Sequence, residues 1–287
     1  MRPITFVYFD EKLFKKVDFP LAICAFSLYN RNKIMDWRRS ALGEVLAVLS
    51  GKGGTGKTSV CAALATALAE AGKRVLSIDC DVGLRNLDIS LGMSESSCLS
   101  FLDVASGHYP LSDAARHGSY SRLAFLTAPM NCTAGDIDPE AFFRMLLDAR
   151  REFDMILLDA PAGVDAGFRL TAKTADRFLL VTGCGPASVR DAARVGDLLE
   201  LQGKRDVRLI VNRVDRDMLS TVRLTIDDVM DTAGLPLAGI VPEDPCVTLA
   251  ASFGKPLLRY APRCPAAKAC RRISRRIQGL HEPISLR

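Results

Sequence analysis

The sequence predicts an α/β protein built as a doubly wound, mostly parallel sheet with helices on both faces. Three observations carry the prediction. Short apolar runs alternate with helical periods from residue 44 onward, a glycine-rich turn joins the first run to the first helix, and polar residues stand just past the ends of later runs. The runs expected to be strands are 45–49, 74–78, 123–126, 155–158, 178–182 and 207–211. Between them, residues 58–71 set Val60, Leu64, Ala67 and Leu68 on one helical face and end at Gly72, a suitable C-cap. Asp138, Pro139 and Glu140 open a second helix that runs through Arg151, with Phe142, Leu146 and Ala149 inward. Residues 265–279 form a third, basic helix, whose Ala266, Ala269, Ile273 and Ile277 make a narrow apolar stripe suited to docking on the core.

With 287 residues, 48% hydrophobic and 25% charged, the chain can bury one large core. Residues 1–34 read as a poorly defined N-terminal extension, whose apolar stretch from Phe19 to Tyr29 is too short to span a bilayer. Met35 opens the functional part, and residues 35–287 read as a single domain ending in the basic helix. The net charge of +5 resides at the ends: residues 40–258 carry 22 basic and 28 acidic side chains. A body of that balance does not favour nucleic acid. The nine cysteines include no C-x-x-C pair and read as reduced, mostly buried thiols of a cytoplasmic protein. His108, His117 and His281 show no metal spacing and are expected at the surface.

The run 45–49 leads directly into Ser50-Gly51-Lys52-Gly53-Gly54-Thr55-Gly56-Lys57-Thr58, which matches G-x-x-x-x-G-K-[ST] between a strand and a helix. Glycines let successive backbone amides face phosphate oxygens, and the helix N-terminus adds its positive dipole end. The residues expected to hold a nucleotide here are Gly51, Lys52, Gly53, Gly54, Thr55, Gly56, Lys57, Thr58 and Ser59. Lys57 is expected on the β and γ phosphates of ATP, and the Thr58 hydroxyl on Mg2+. After the second run, Asp81 is placed to hold an attacking water, and Asp79, still at the strand end, to support the metal. The run 155–158 delivers Asp159, a strand-end carboxylate suited to Mg2+. The run 207–211 delivers Asn212, whose carboxamide can pair with adenine.

Lys52, five residues before Lys57, makes the loop resemble the deviant-Walker-A ATPases, the MinD and ParA group. There this lysine reaches across a nucleotide sandwich dimer to the partner's phosphates. The run Gly83-Leu84-Arg85-Asn86-Leu87-Asp88 resembles MinD more closely than ParA. Further likeness lies in Asp159-Ala160-Pro161-Ala162-Gly163, in residues 188–194 and in Gly239-Ile240-Val241-Pro242-Glu243-Asp244, so that it spans about residues 44–282. The resemblance implies a Mg2+-dependent ATPase that is a dimer with ATP and places the cell division site with regulator proteins. It also implies that Asn212 contacts adenine and that the loop Pro242-Glu243-Asp244 lines the base. A ParA-type partition ATPase using Arg263 to Arg276 on DNA is the alternative, and a nucleotide-gated scaffold with little turnover is another. MinD proteins end in a linker and a membrane-inserting amphipathic helix. The likeness here runs through Arg275-Arg276-Ile277-Gln278-Gly279 and stops at Arg287, where that linker would begin, so only weak peripheral membrane contact by a cytoplasmic protein is expected.

Overall fold

In the computed structural model, the structure describes residues 42–130 and 132–284. The expected extension 1–34 and the opening at Met35 lie outside the described residues. The strands are β1 (Glu44–Leu49), β2 (Val75–Asp79), β3 (Ala115–His117), β4 (Tyr120–Leu126), β5 (Met155–Asp159), β6 (Arg177–Thr182), β7 (Val207–Val214) and β8 (Leu237–Pro242). They form one sheet in the order β3-β4-β2-β5-β1-β6-β7-β8. Every pairing is parallel except β3 with β4 at the edge.

Parallel strands are covered on both faces, which is why β2 and β5 are buried at every residue and read as continuous apolar runs. Alternate residues of β1 serve two cores: Val45, Ala47 and Leu49 pack on one face, Leu46 and Val48 on the other. The helices are α1 (Lys57–Glu70), α2 (Leu87–Leu91), α3 (Phe101–Ala105), α4 (Pro139–Glu152), α5 (Ala166–Thr174), α6 (Pro186–Leu201), α7 (Arg216–Val222), α8 (Ile226–Ala233), α9 (Pro245–Ser252), α10 (Leu257–Tyr260) and α11 (Pro265–Ile277). The first face is covered by α4 to α6 and α8, the second by α1 and α9 to α11. Among the described residues, no helix is long and apolar enough to cross a membrane.

The α4 helix begins as expected, with the Asp138 carboxylate accepting the Glu140 N–H at 2.9 Å ahead of Pro139. The burial of α1 exceeds the one face expected: residues 60–69 are all buried, because α1 lies between the sheet and α11. For α11 the expected stripe is buried and widened by Ala267, Cys270 and Ser274. Its contact with β8 depends on Gly239, where a Cβ would stand 2.4 Å from Ile273 Cγ1. Three of its guanidiniums have partners within the molecule: Arg271 pairs with Glu70 at 2.7 Å, Arg275 with Glu282 at 2.6 Å, and Arg276 donates to the Ala238 carbonyl at 2.6 Å.

Two strands escape the sequence patterns. β3 has three residues with Arg116 exposed, and β8 contains Gly239 and Pro242, so neither forms a plain apolar run. The surface expectation also fails for His117, although His108 and His281 are exposed. His117 is buried, with Nε2 2.9 Å from the Leu91 carbonyl and Nδ1 accepting the Ser119 and Tyr120 N–H groups at 3.0 and 3.2 Å. A histidine in a polar stretch gives no periodic sign that its ring satisfies three backbone groups.

Candidate functional site

Residues 50–56 run from the C-terminal end of β1 into α1. The turn needs left-handed backbone, with φ +80° at Gly54 and +82° at Gly56. Gly56 is the N-cap of α1 and supplies no side-chain bond, so the amides of the first turn, at Lys57, Thr58 and Ser59, are left for an anion. It also sits where a Cβ would come within 2.4 Å of Asn212 Nδ2. Gly51 backs onto the Asp191 carbonyl of α6, whereas Lys52, Gly53 and Gly54 are exposed on the rim and Thr55 is buried.

On the floor, Lys57 Nζ lies 2.6 Å from Asp159 Oδ1 and 3.4 Å from Thr58 Oγ1. Burial opposes the charge on Lys57, yet Asp159 more than offsets it and holds the ammonium above its usual range. Burial likewise pushes the Asp159 carboxyl up, against the pull of Lys57. Asp79 pairs in register with Asp159 across β2 and β5. One Asp79 oxygen accepts the Asp81 N–H at 2.9 Å; the other accepts those of Asn86 and Leu87 at 3.0 and 3.1 Å. Burial, with the neighbouring Asp159, raises Asp79 to about 6. Asp81 is half-buried, and burial also raises its carboxyl. The three carboxylates are thus brought to the ends of β2 and β5, beside the loop. Asp79 moreover holds the backbone of residues 81–87 to the strand end, a role its position in the sequence does not show.

On the other side of the loop, a cavity of about 180 Å³ is lined by Ser59, Asn212, Pro242, Glu243, Val247 and Cys270, among others. Asn212 is buried and donates from Nδ2 to the Thr55 carbonyl at 2.8 Å. Sequence reasoning passed over Arg213. Its backbone is left-handed at φ +57°, and its guanidinium bridges Glu243 at 2.8 Å and the Gly54 carbonyl at 3.4 Å. A bulge between Val211 and Val214 in the pairing of β7 with β8 accompanies that turn, and no residue type in the run signals it.

The residues present fit a nucleotide with Mg2+. The open first-turn amides suit phosphate, and the buried Asp159 Oδ2 has no hydrogen-bond partner among the described residues, as expected of an oxygen kept for a cation or its water. A phosphate loop after a central parallel strand, a buried lysine and a strand-end carboxylate together define a P-loop nucleotide-binding domain. Residues 46–257 match the family described as CobQ/CobB/MinD/ParA nucleotide binding domain. The chain is 34% identical to the septum site-determining protein MinD of Synechocystis over 244 residues, 84% of this chain and 92% of the relative. It superposes on the MinC:MinD cell division protein complex of Aquifex aeolicus with TM-score 0.78 and 35% identity, covering 85% of this chain and 98% of that one. The septum site-determining protein MinD complexed with Mg-ADP from Pyrococcus horikoshii gives TM-score 0.73 at 27% identity, over 82% and 96% of the two chains. The chain belongs to this family and, within it, to the MinD ATPases; it is an ATP hydrolase that works with Mg2+.

Proposed function

We propose that this protein is a nucleotide-dependent switch in the placement of the cell division site, dimerising with ATP and reporting its state to division-site regulator proteins. The observation that supports it is the division of labour between two lysines of one loop. Lys57 is buried against Asp159 and serves its own nucleotide, whereas Lys52 is exposed on the rim of an open groove shared with Ser188, Arg213 and Met218. A cation so placed is available to the phosphates of a second copy facing the groove, where it offsets charge that otherwise opposes closing the interface. The pairing of MinD with MinC in the Aquifex structure is the basis for proposing a regulator partner here.

In this reading the amides of residues 51–59 hold the phosphates, Asp81 orients the attacking water and accepts its proton, and Thr58 and Asp159 hold the metal with Asp79 behind them. Bound Mg2+ supplies neutralisation of charge on the phosphate oxygens. Asn212, Pro242 and Glu243 receive the base. We place the protein in the cytoplasm as a single domain over residues 35–287, with membrane contact limited to salt-sensitive attraction through α11. The occupied guanidiniums of Arg271, Arg275 and Arg276 give no support to a DNA-contacting face.

Turnover measured with anionic vesicles, with DNA and with neither tests the proposal, alongside imaging of the tagged protein in its own cells. Localisation dependent on division-site position, with misplaced septa when the gene is deleted, is the expected result. Stimulation by DNA alone would move the protein to partition. A localisation indifferent to the division site, with turnover unchanged by vesicles or DNA, would overturn it.

A further inference from the structure

Cys246 and Cys264 lie beyond the roles assigned above, and their ligand atoms and that of Asp244 fall within 4.8 Å of one another. Eighteen positions separate the two cysteines in the chain, so no spacing motif announces them. The fold brings them together because Cys246 lies in the first turn of α9 and Cys264 is the N-cap of α11. Asp244 joins the two helices: it caps α9 by accepting the Cys246 N–H at 2.9 Å, and its other oxygen accepts the Ala266 N–H of α11 at 3.1 Å. We propose that these three residues bind one thiophilic divalent cation of the zinc class, which ties the starts of α9 and α11 together beside the base cavity.

The donor set carries the choice of ion. Two sulfurs and one carboxylate suit zinc rather than magnesium or calcium, which require oxygen. Metal–sulfur bonds of about 2.3 Å and metal–oxygen bonds of about 2.1 Å put tetrahedral donors roughly 3.5 Å apart, within reach of the observed cluster by side-chain rotation. Three protein donors leave the fourth position to water. Each Asp244 oxygen keeps a lone pair beyond its backbone bond, and those bonds fix the carboxylate as a ligand's outer contacts do. Two thiolates, a carboxylate and a dication sum to one negative charge. The N-terminal dipole ends of α9 and α11 meet here and favour that charge, and their amides already bond the proposed ligands: Cys246 and Ala266 N–H to Asp244, and Ala267 N–H to Cys264 Sγ at 3.4 Å. Both thiols are half-buried, so an ion enters from solvent without opening the core.

Binding forms two metal–sulfur bonds and one metal–oxygen bond and releases two thiol protons to solvent, with no change of oxidation state. Burial, with Asp244 alongside, lifts the free Cys264 thiol to about 11 when no cation is present. Asp244 also lines the cavity with Asn212 and Glu243, so a bound ion stiffens the turn after β8 that carries Glu243.

The test uses the full-length protein, reduced and stripped with a chelator, then titrated with Co2+. One equivalent is expected to give a sulfur-to-cobalt charge-transfer band in the near ultraviolet, displaced by Zn2+. Cobalt on Thr58 and Asp159 has only oxygen donors and gives no such band. Cys246→Ser and Cys264→Ser should each weaken the band's titration by on the order of 100-fold or more, and Cys98→Ser should leave it unchanged. Serine is a good N-cap, so Cys264→Ser keeps the start of α11, and an unchanged melting curve without metal verifies the fold. A reduced protein with no thiolate band overturns the proposal, as does a band of undiminished affinity in both cysteine variants. A Cys246–Cys264 disulfide that, once reduced, leaves a protein blind to cobalt does so too.

Discussion

Lys57 Nζ and Asp159 Oδ1 are 2.6 Å apart, with only 7% and 1% of their side chains exposed. The pair spans 102 positions of sequence and ties α1 to the end of β5. In the proposed reading an incoming phosphate would not meet a free cation; it would have to draw Lys57 from Asp159, the carboxylate proposed for the metal. Truncation at either end leaves a buried charge without its partner.

Lys57→Ala should for that reason lose both nucleotide binding and stability. The cost of stranding Asp159 is about 3–5 kcal/mol, the range for one member removed from a buried pair. Urea unfolding and a fluorescent-nucleotide titration measure the two effects. A variant that binds nucleotide like the wild type would remove Lys57 from the phosphates.

Lys52→Ala separates the lysines. Its side chain is exposed, so stability should move by no more than about 0.5 kcal/mol, and nucleotide should still bind. The ATP-dependent rise in light scattering should vanish. If the dimer forms unchanged, the cation across the interface is some other residue.

Asp81→Ala is expected to bind ATP and dimerise but to hydrolyse at least ~100-fold more slowly, the size of effect when a water-orienting base is removed. The ATP dimer then persists where the wild type's decays. Normal turnover would shift that task to Asp79 or Asp159.

The His117 ring gives a stability signature in pH. Nε2 carries a hydrogen toward the Leu91 carbonyl while Nδ1 accepts two backbone amides, so protonating Nδ1 would set three donors against one another. Burial, assisted by the Arg259 charge, lowers its pKa in the folded state, although the Leu91 bond works the other way. The unfolded chain then binds the proton more tightly. The contribution of a neutral His117 is fully present above about pH 6.5 and is lost as pH falls through that value toward the folded pKa. Urea midpoints for wild type and His117→Gln should converge as the pH is lowered from 7.5 to 5, by on the order of a tenth to a few tenths of a molar. Parallel midpoint curves would show the ring is not neutral in the fold.

The phosphate side of this site is legible in the sequence because its chemistry is contiguous. Loop residues 50–58 are consecutive, and Asp79, Asp81 and Asp159 each follow an apolar run whose length fixes where the strand ends. What the sequence hid depends on partners distant along the chain. β8 is disguised by Gly239, which is there for the approach of Ile273 from α11. Arg213 becomes part of the site only through a bulge, and His117 is buried by carbonyl and amide groups that no pattern of side chains records. Asp79 was legible as a carboxylate near the metal, but its three amide bonds follow from the turn made by residues 80–87, which is a property of backbone geometry.

The hydrogen bond from Asn212 to the Thr55 carbonyl joins the cavity proposed for a base to the loop proposed for phosphates. A ligand spanning both would be sensed by two readers that share a single bond, and the affinities they report would not be independent. A bond of this kind is worth about 0.5–1.5 kcal/mol, so what happens at the purine can alter the hold on phosphate by up to roughly tenfold. Titrating wild type and Asn212→Ala with ATP and with triphosphate alone measures that conversation directly, because triphosphate carries no base. An unchanged affinity for triphosphate would mean that the readers do not converse.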